Sequence, residues 1–64
     1  MKVFVNDIEV KTYYGAKVKS AVLVFLRNQH LPLNIEGMEV RDQWDNIVDM
    51  NGALSSNSRI YIKI

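Results

Sequence analysis

Few side chains in this sequence are of a kind that does covalent chemistry, and their neighbours do not support it. His30 is the single histidine, its neighbours are Gln29 and Leu31, and the chain contains no cysteine. Nucleophilic catalysis needs a nucleophile, a base and a group that orients the base. A lone histidine in a loop is far more often an ordinary surface residue. The sequence therefore predicts no enzyme activity, no cofactor and no thiolate metal site.

Acidic and amide residues are frequent between positions 42 and 51, which raises the question of a calcium loop. An EF-hand needs oxygen ligands at its first, third, fifth and last positions and a glycine at its sixth. If Gly52 takes the glycine position, Ile47 falls at the first position and Ser58 at the last, so both anchors fail. Aspartate and asparagine also form turns by bonding their own backbone. We expect turns here and no metal.

Charge is unevenly distributed along the chain, although the net charge is only +1. Residues 1–30 carry five basic and two acidic side chains, and residues 31–64 carry three basic and five acidic ones. Such polarity can orient a partner, and solvated strand faces also produce it. The longest apolar run, residues 21–26, is too short to span a bilayer. With no cysteine and no signal peptide at the start, we expect a cytoplasmic protein.

The N-terminal residues alternate between apolar and polar, which is typical of strands. Val3 and Val5 precede Asn6-Asp7, and Ile8 and Val10 follow it. Asparagine and aspartate tolerate the positive φ of a tight two-residue hairpin. Such a loop pairs Val5 with Ile8 and Val3 with Val10, so the pattern places all four side chains on one face.

Residues 16–28 have the apolar spacing of a helix. Val18, Ala21, Val22, Phe25 and Leu26 form the predicted core stripe. The alternative is a buried strand through residues 21–26, which are rich in β-branched side chains. Polar residues on both sides lengthen the unit and favour the helix, with Gly15 at its start and Pro32 beyond its end.

The second half of the chain predicts three more strands separated by turns. Short strands are expected at residues 39–41 and 47–48, and a clear final strand at residues 59–64 has three isoleucines on one face. Turns are expected at residues 42–46 and at Asn51-Gly52, and Leu54 is expected to fill the core.

The order of these elements is hairpin, helix, two short strands and a final strand. It is carried by Val3-Phe4-Val5-Asn6-Asp7, Gly15-Ala16-Lys17-Val18, Val40-Arg41-Asp42 and Ile60-Tyr61-Ile62. This order resembles the β-grasp superfamily, which includes ubiquitin, sulfur carriers, TGS domains and plant-type ferredoxins. The resemblance covers nearly the whole chain. It implies one α+β domain over residues 1–64, with a β-grasp-like mixed sheet of four to five strands packed on one helix.

The functional residues of these relatives do not carry over to this chain. Ubiquitin and the sulfur carriers end in Gly-Gly, whereas this chain ends in Ile62-Lys63-Ile64. Ferredoxins hold their cluster with four cysteines, and this sequence has none. The resemblance therefore implies a fold and not an activity.

Alternation along the strands places a second set of side chains on the open face of the sheet. These are Lys2, Phe4, Glu9, Lys11, Tyr13, Arg59, Tyr61 and Lys63. In a β-grasp sheet the last strand lies parallel to the first, so Phe4 and Tyr61 should be near neighbours among lysines. Such a patch can dock proteins or stack bases. It can also reflect only the preference of strands for aromatic residues.

Two further surfaces are candidates for partner binding. Helical geometry turns Leu23 and Val24 away from the core stripe, where they form a partner seam unless the helix is packed on several sides. Trp44, in a polar turn, either caps the core or is an exposed anchor.

The function predicted from the sequence is a non-catalytic protein-interaction or accessory module with a protein partner or a fused domain. One alternative is an RNA-binding domain of the TGS kind. The other is a sulfur-carrier-like protein without its Gly-Gly tail.

Overall fold

A computed structural model describes residues 1–63, which form a mixed five-stranded sheet and one helix. The strands are β1 (Lys2–Val5), β2 (Ile8–Lys11), β3 (Val40–Asp42), β4 (Ile47–Val48) and β5 (Arg59–Ile62), and the helix is α1 (Val18–Asn28). Their order in the sheet is β2-β1-β5-β3-β4. The β1–β5 pair is parallel and the other pairs are antiparallel. The predicted α+β class, a mixed sheet packed on one helix, is confirmed. Ile64, predicted to extend the last strand, lies outside the described residues.

The first hairpin has the register that the sequence predicts. Val3 pairs with Val10 and Val5 pairs with Ile8, and the two turn residues have φ angles of 51° and 66°. Positive φ at both positions is characteristic of the type I′ hairpin. Ile8 pairs with Val5 as predicted, but unlike the three valines of this face its side chain is 44% exposed. Ile8 adjoins the turn at the outer edge of the sheet, where its side chain is only partly covered.

The helix begins at Val18, two residues later than predicted, because its first amides are bonded by a distant part of the chain. Val18 N donates to the Gly52 carbonyl at 2.9 Å, and Lys19 N donates to the Met50 carbonyl at 2.9 Å. No side chain caps the helix at Lys17. Gly15, expected at the cap, serves the preceding turn with a φ of 87°.

The helix ends in a Schellman motif at His30. His30 N donates to the Arg27 carbonyl at 3.1 Å and Leu31 N donates to the Leu26 carbonyl at 2.9 Å. These are the two bonds that define the motif, in which glycine usually occupies the left-handed position. Here His30 occupies it, with a φ of 59°. The single histidine therefore has a structural position at the helix end.

The core lies between α1 and one face of the sheet. Its largest fully buried side chains are Phe25 and Leu26, packed with valines and isoleucines of the strands. The predicted helical stripe is buried in full, which excludes the alternative strand at residues 21–26. Leu54 packs against this core as predicted. Within residues 1–63, no helix has the length and apolar character needed to cross a membrane.

Candidate functional site

The side of the sheet opposite α1 is here called the open face. Alternation along the strands assigns to it Lys2, Phe4, Glu9, Lys11, Arg41, Ile47, Arg59 and Tyr61. Lys63 follows β5 directly and lines a shallow depression together with Tyr61 and Arg41. Phe4 and Tyr61 are half-buried. The predicted open-face residues of β1, β2 and β5 are therefore brought together, and Arg41 and Ile47 extend the surface onto β3 and β4.

Phe4 lies beneath two cationic side chains. Arg59 is its direct partner on the parallel strand β5, and the guanidinium carbon lies 4.3 Å from the ring centroid. The Lys2 ammonium lies 5.7 Å from the same centroid. Cations at such distances are attracted by the negative face of an aromatic ring. Tyr61 lies two residues further along β5, so the near neighbour of Phe4 is Arg59 rather than Tyr61.

Asp7 joins the hairpin turn to the open face. Its Oδ1 accepts a hydrogen bond from the Tyr61 hydroxyl at 2.9 Å and another from Arg59 Nη1 at 3.3 Å. The first contact raises the pKa of Tyr61 above its ordinary value, because the nearby carboxylate disfavours tyrosinate. In the same turn, Asn6 Oδ1 accepts a hydrogen bond from Ile62 N at 2.9 Å. Both turn residues thus fix β5, a role that the sequence pattern did not reveal.

Arg41 is balanced by acidic neighbours at its own end of the sheet. Its guanidinium pairs with the Glu39 carboxylate and, at 3.5 Å, with that of Asp45. It also donates to the Asp45 carbonyl at 2.9 Å. These groups are solvent-exposed, so they contribute little to stability. They do neutralise the positive charge of Arg41.

Lys2 and Lys11 form no ion pair among residues 1–63, and Glu9 is the acidic residue nearest to them on this face. They are direct cross-strand partners in the β1–β2 ladder, and every ion pair among residues 1–63 involves an arginine instead. Like charges directly opposite each other on a sheet are destabilising. Two like charges therefore lie directly opposite each other at the start of β1.

The outer side of the helix is a weaker candidate than the sequence indicated. Leu23 and Val24 are both half-buried, and Val24 packs against the core, so its predicted outward position is wrong. Leu31, Ile35 and Met38, from the loop after the helix, are also partly buried and pack against the core. These residues extend the apolar interior beyond the sheet, which leaves less of the helix surface open than one stripe predicts.

Trp44 is an exposed side chain and does not cap the core. It is 72% exposed in the β3–β4 turn and lies near Ile47, which is 68% exposed. Asp42 Oδ1 accepts hydrogen bonds from Trp44 N and Asn46 N, both at 2.9 Å. These donors lower the pKa of Asp42 below its ordinary value, with Asn46 making the larger contribution. Trp44 also borders a depression of about 490 Å³ that Val48 and other residues line.

The acidic residues of this region act as turn formers, as predicted. Besides the Asp42 contacts, Asp49 Oδ1 accepts a hydrogen bond from Asn51 N at 2.8 Å. Among the described residues, no group of three or more histidine, cysteine, aspartate or glutamate side chains could hold a metal ion.

Comparison with known proteins identifies no relative. No family model, no curated protein and no solved structure matches the chain.

Proposed function

We propose that this domain is a non-catalytic interaction module that docks a protein partner, or a fused domain, through the open face of its sheet. The observation that carries the proposal is the arrangement of Phe4, Arg59, Tyr61 and Asp7. Two half-buried aromatic rings and one arginine are held in place by contacts of 2.9 to 4.3 Å. Aromatic residues and arginine are the side chains that most often dominate the energy of interfaces.

The order of the side chains before binding supports this role. Immobilising a flexible side chain during association costs free energy, and a side chain that is already fixed avoids much of that cost. The bond from the Tyr61 hydroxyl to Asp7 and the stacking of Arg59 on Phe4 restrict these side chains in the free domain. A partner would therefore meet a surface that needs little rearrangement.

The size of the domain also favours a face over a pocket. A standard protein interface covers about 800 Å² on each partner, whereas the whole chain exposes 4352 Å². An interface of standard size would thus take nearly a fifth of the surface of this domain.

We also infer membership of the β-grasp superfamily. The central parallel pair of β1 and β5, with β2 at one edge and β3-β4 at the other, supports this assignment. The superfamily hosts many functions, so the docking proposal rests on the open face and not on the fold.

A pair of tyrosine substitutions tests the proposal. The tagged domain is used to capture proteins from a lysate of its source cell, with Tyr61→Ala as the open-face variant. Tyr14→Ala is the matched control, because Tyr14 is 81% exposed in the turn after β2. We expect Tyr61→Ala to reduce specific capture by about tenfold or more, as for a binding hot spot, while Tyr14→Ala leaves it unchanged. Equal capture by both variants, or no specific capture by the native domain, would refute the proposal. Far-ultraviolet circular dichroism verifies that each variant is folded.

A further inference from the structure

Three cationic side chains share the open face around Phe4, and we call Lys2, Lys11 and Arg59 the cation cluster. Arg59 and Lys2 both lie over the Phe4 ring, at 4.3 and 5.7 Å from its centroid. Lys11 lies directly opposite Lys2 on β2. Only Arg59 has a carboxylate partner among the described residues, and that contact is 3.3 Å long and exposed. Asp7 and Glu9 are the acidic residues beside these three cations, so the cluster keeps a net positive charge.

We infer that the partner of the open face presents an acidic peptide segment, whose carboxylates bind the cation cluster. The inference rests on the proposed docking function and adds the chemical class of the partner. Charge complementarity carries it, because a carboxylate placed between Lys2 and Lys11 would remove the repulsion between them. Arg59 adds a planar donor, and guanidinium groups match carboxylates in geometry.

The distribution of charge favours an acidic peptide over a nucleic acid. A protein that follows a nucleic-acid backbone needs a positive groove spanning several nucleotides. Here acidic side chains interrupt the basic ones. Glu39 and Asp45 pair with Arg41, and Glu9 shares the open face with Lys11, so the basic residues, Lys63 included, do not form a continuous positive groove. Two or three carboxylates of a short segment fit a cluster of this size.

The contacts that the two aromatic rings already make also favour an acidic peptide over a nucleic acid. Single-stranded nucleic acids bind such faces by stacking bases on open aromatic rings. The Phe4 ring is already covered by the Arg59 guanidinium, and the Tyr61 hydroxyl is bonded to Asp7. A base could stack on Phe4 only after displacing Arg59 from both the ring and Asp7. A carboxylate can bind the cluster with those contacts intact.

The test uses defined probes and a pair of charge-reversal variants. The ¹⁵N-labelled domain is titrated with a glutamate-rich peptide, a glutamine-rich peptide of equal length and a single-stranded oligouridylate, and amide shifts are followed by NMR. Lys11→Glu alters the cluster. Lys19→Glu makes the same change of charge on the exposed surface of α1, in the layer behind the sheet.

We expect the glutamate-rich peptide to shift the amides of β1, β2 and β5 around the cluster, and the glutamine-rich peptide to leave them unchanged. Lys11→Glu should weaken this binding by about tenfold, because it reverses one of three converging charges, whereas Lys19→Glu should change it by less than about twofold. Added salt should weaken the binding, since the contact is electrostatic and exposed.

Three results would overturn the inference. They are no cluster shifts with the glutamate-rich peptide, equal weakening by the two variants, and tighter binding of the oligouridylate to the same amides. If any of these occurs while Tyr61→Ala still abolishes protein capture, the docking function stands and only the acidic class of partner is wrong. If Tyr61→Ala and Tyr14→Ala capture equally, the docking function itself is wrong, whatever the peptide does.

Discussion

Replacing Lys11 by glutamate should make the domain more stable, even though it removes part of the cation cluster. The substitution turns the directly opposed Lys2–Lys11 pair into an oppositely charged cross-strand pair. Cross-strand charge pairs of this kind contribute roughly 0.2–1 kcal/mol, and the sign follows the charges. The predicted gain therefore comes from a repulsion that is present in the native sheet.

The magnitude follows from the separation of the two charges. Opposed residues have Cβ atoms about 5 Å apart, and unit charges at about 7 Å in water interact by about 0.6 kcal/mol. Reversing one charge changes the energy of the pair by about 1 kcal/mol before screening. At physiological salt, with a Debye length of about 8 Å, we expect about 0.5 kcal/mol to remain from this pair. The new glutamate also repels Glu9 on the same strand face, so about 0.5 kcal/mol is the upper limit. For a domain of this length that corresponds to a rise in Tm of about 2–4 °C.

A double-mutant cycle isolates this pair from the change in net charge. Lys2→Glu, Lys11→Glu and the double variant are unfolded with urea, which does not screen charge as guanidinium does, at ionic strengths of about 0.01 M and about 1 M. In the double variant two glutamates lie opposite each other and repel. We therefore expect the double variant to be less stable than the sum of the two single effects predicts. The loss of the Lys2–Phe4 contact cancels in the cycle.

Two outcomes would contradict the electrostatic reasoning. One is a Lys11→Glu domain no more stable than the native one at low ionic strength. The other is additivity of the two substitutions, with a coupling energy of zero at both salt concentrations. Additivity would mean that the opposed lysines do not repel each other measurably. The absence of a gain would mean that repulsion between Glu9 and the new glutamate is at least as large as the repulsion removed.

Four further substitutions test the fold and its polar contacts. Phe25→Ala should cost about 3–5 kcal/mol, comparable to the whole stability of so small a domain, so a cooperative thermal transition retained in circular dichroism would contradict the core assignment. His30→Gly should gain up to about 1 kcal/mol in urea unfolding, since glycine adopts the left-handed position without strain; a loss would count against the Schellman motif. The pKa of Asp42 is lowered, so the contribution of its carboxylate to stability is complete above pH 3.8 and is lost as the pH falls. Asp42→Asn should therefore make the free energy of unfolding less dependent on pH in acid, and an unchanged dependence would refute this. The pKa of Tyr61 is raised, so the contribution of its hydroxyl to stability is complete below pH 10.0 and is lost at higher pH. Asp7→Asn should lower that pKa, which is measured from the absorbance of tyrosinate with Tyr61→Phe as the reference. An unchanged pKa would exclude the Asp7 contact.

The hairpin and the core face of the helix were predictable because local signals agreed. Alternation around Val3 and Val10 fixed the strand faces, and a turn of two residues that tolerate positive φ fixed the register. For the helix, spacing alone selected the buried residues, of which Phe25 and Leu26 are the largest.

Features set by distant parts of the chain were not predictable in the same way. The helix starts at Val18 because carbonyls of Met50 and Gly52 bond its first amides, and no local pattern marks that contact. The parallel register that places Arg59 beside Phe4 has no connecting turn to define it. Asp7 looked like a turn former only, because its contacts to β5 cross 52 and 54 positions of sequence.

The sequence predicted which residues lie on the candidate site but not which of them contact each other. Alternation correctly assigned Lys2, Phe4, Lys11 and Tyr61 to one face. It could not show that Arg59 covers the ring, nor that the acidic residues form ion pairs with the arginines and not with the two lysines. Each of these contacts joins two particular side chains, and such contacts depend on strand register and side-chain position rather than on residue type alone.

The opposed lysines also connect stability to binding. Two opposed lysines lower the stability of a domain that has little stability to lose, so folding does not explain them. A ligand does, because a carboxylate bound between them replaces repulsion with attraction. If that reasoning is right, Lys11→Glu should raise Tm and weaken the binding of the glutamate-rich peptide in the same protein. A neutral Lys11→Gln should then lie between the native domain and Lys11→Glu in both measurements. If the Tm rises while peptide binding stays unchanged, the repulsion exists but the cluster does not bind the peptide, and the two parts of the argument separate.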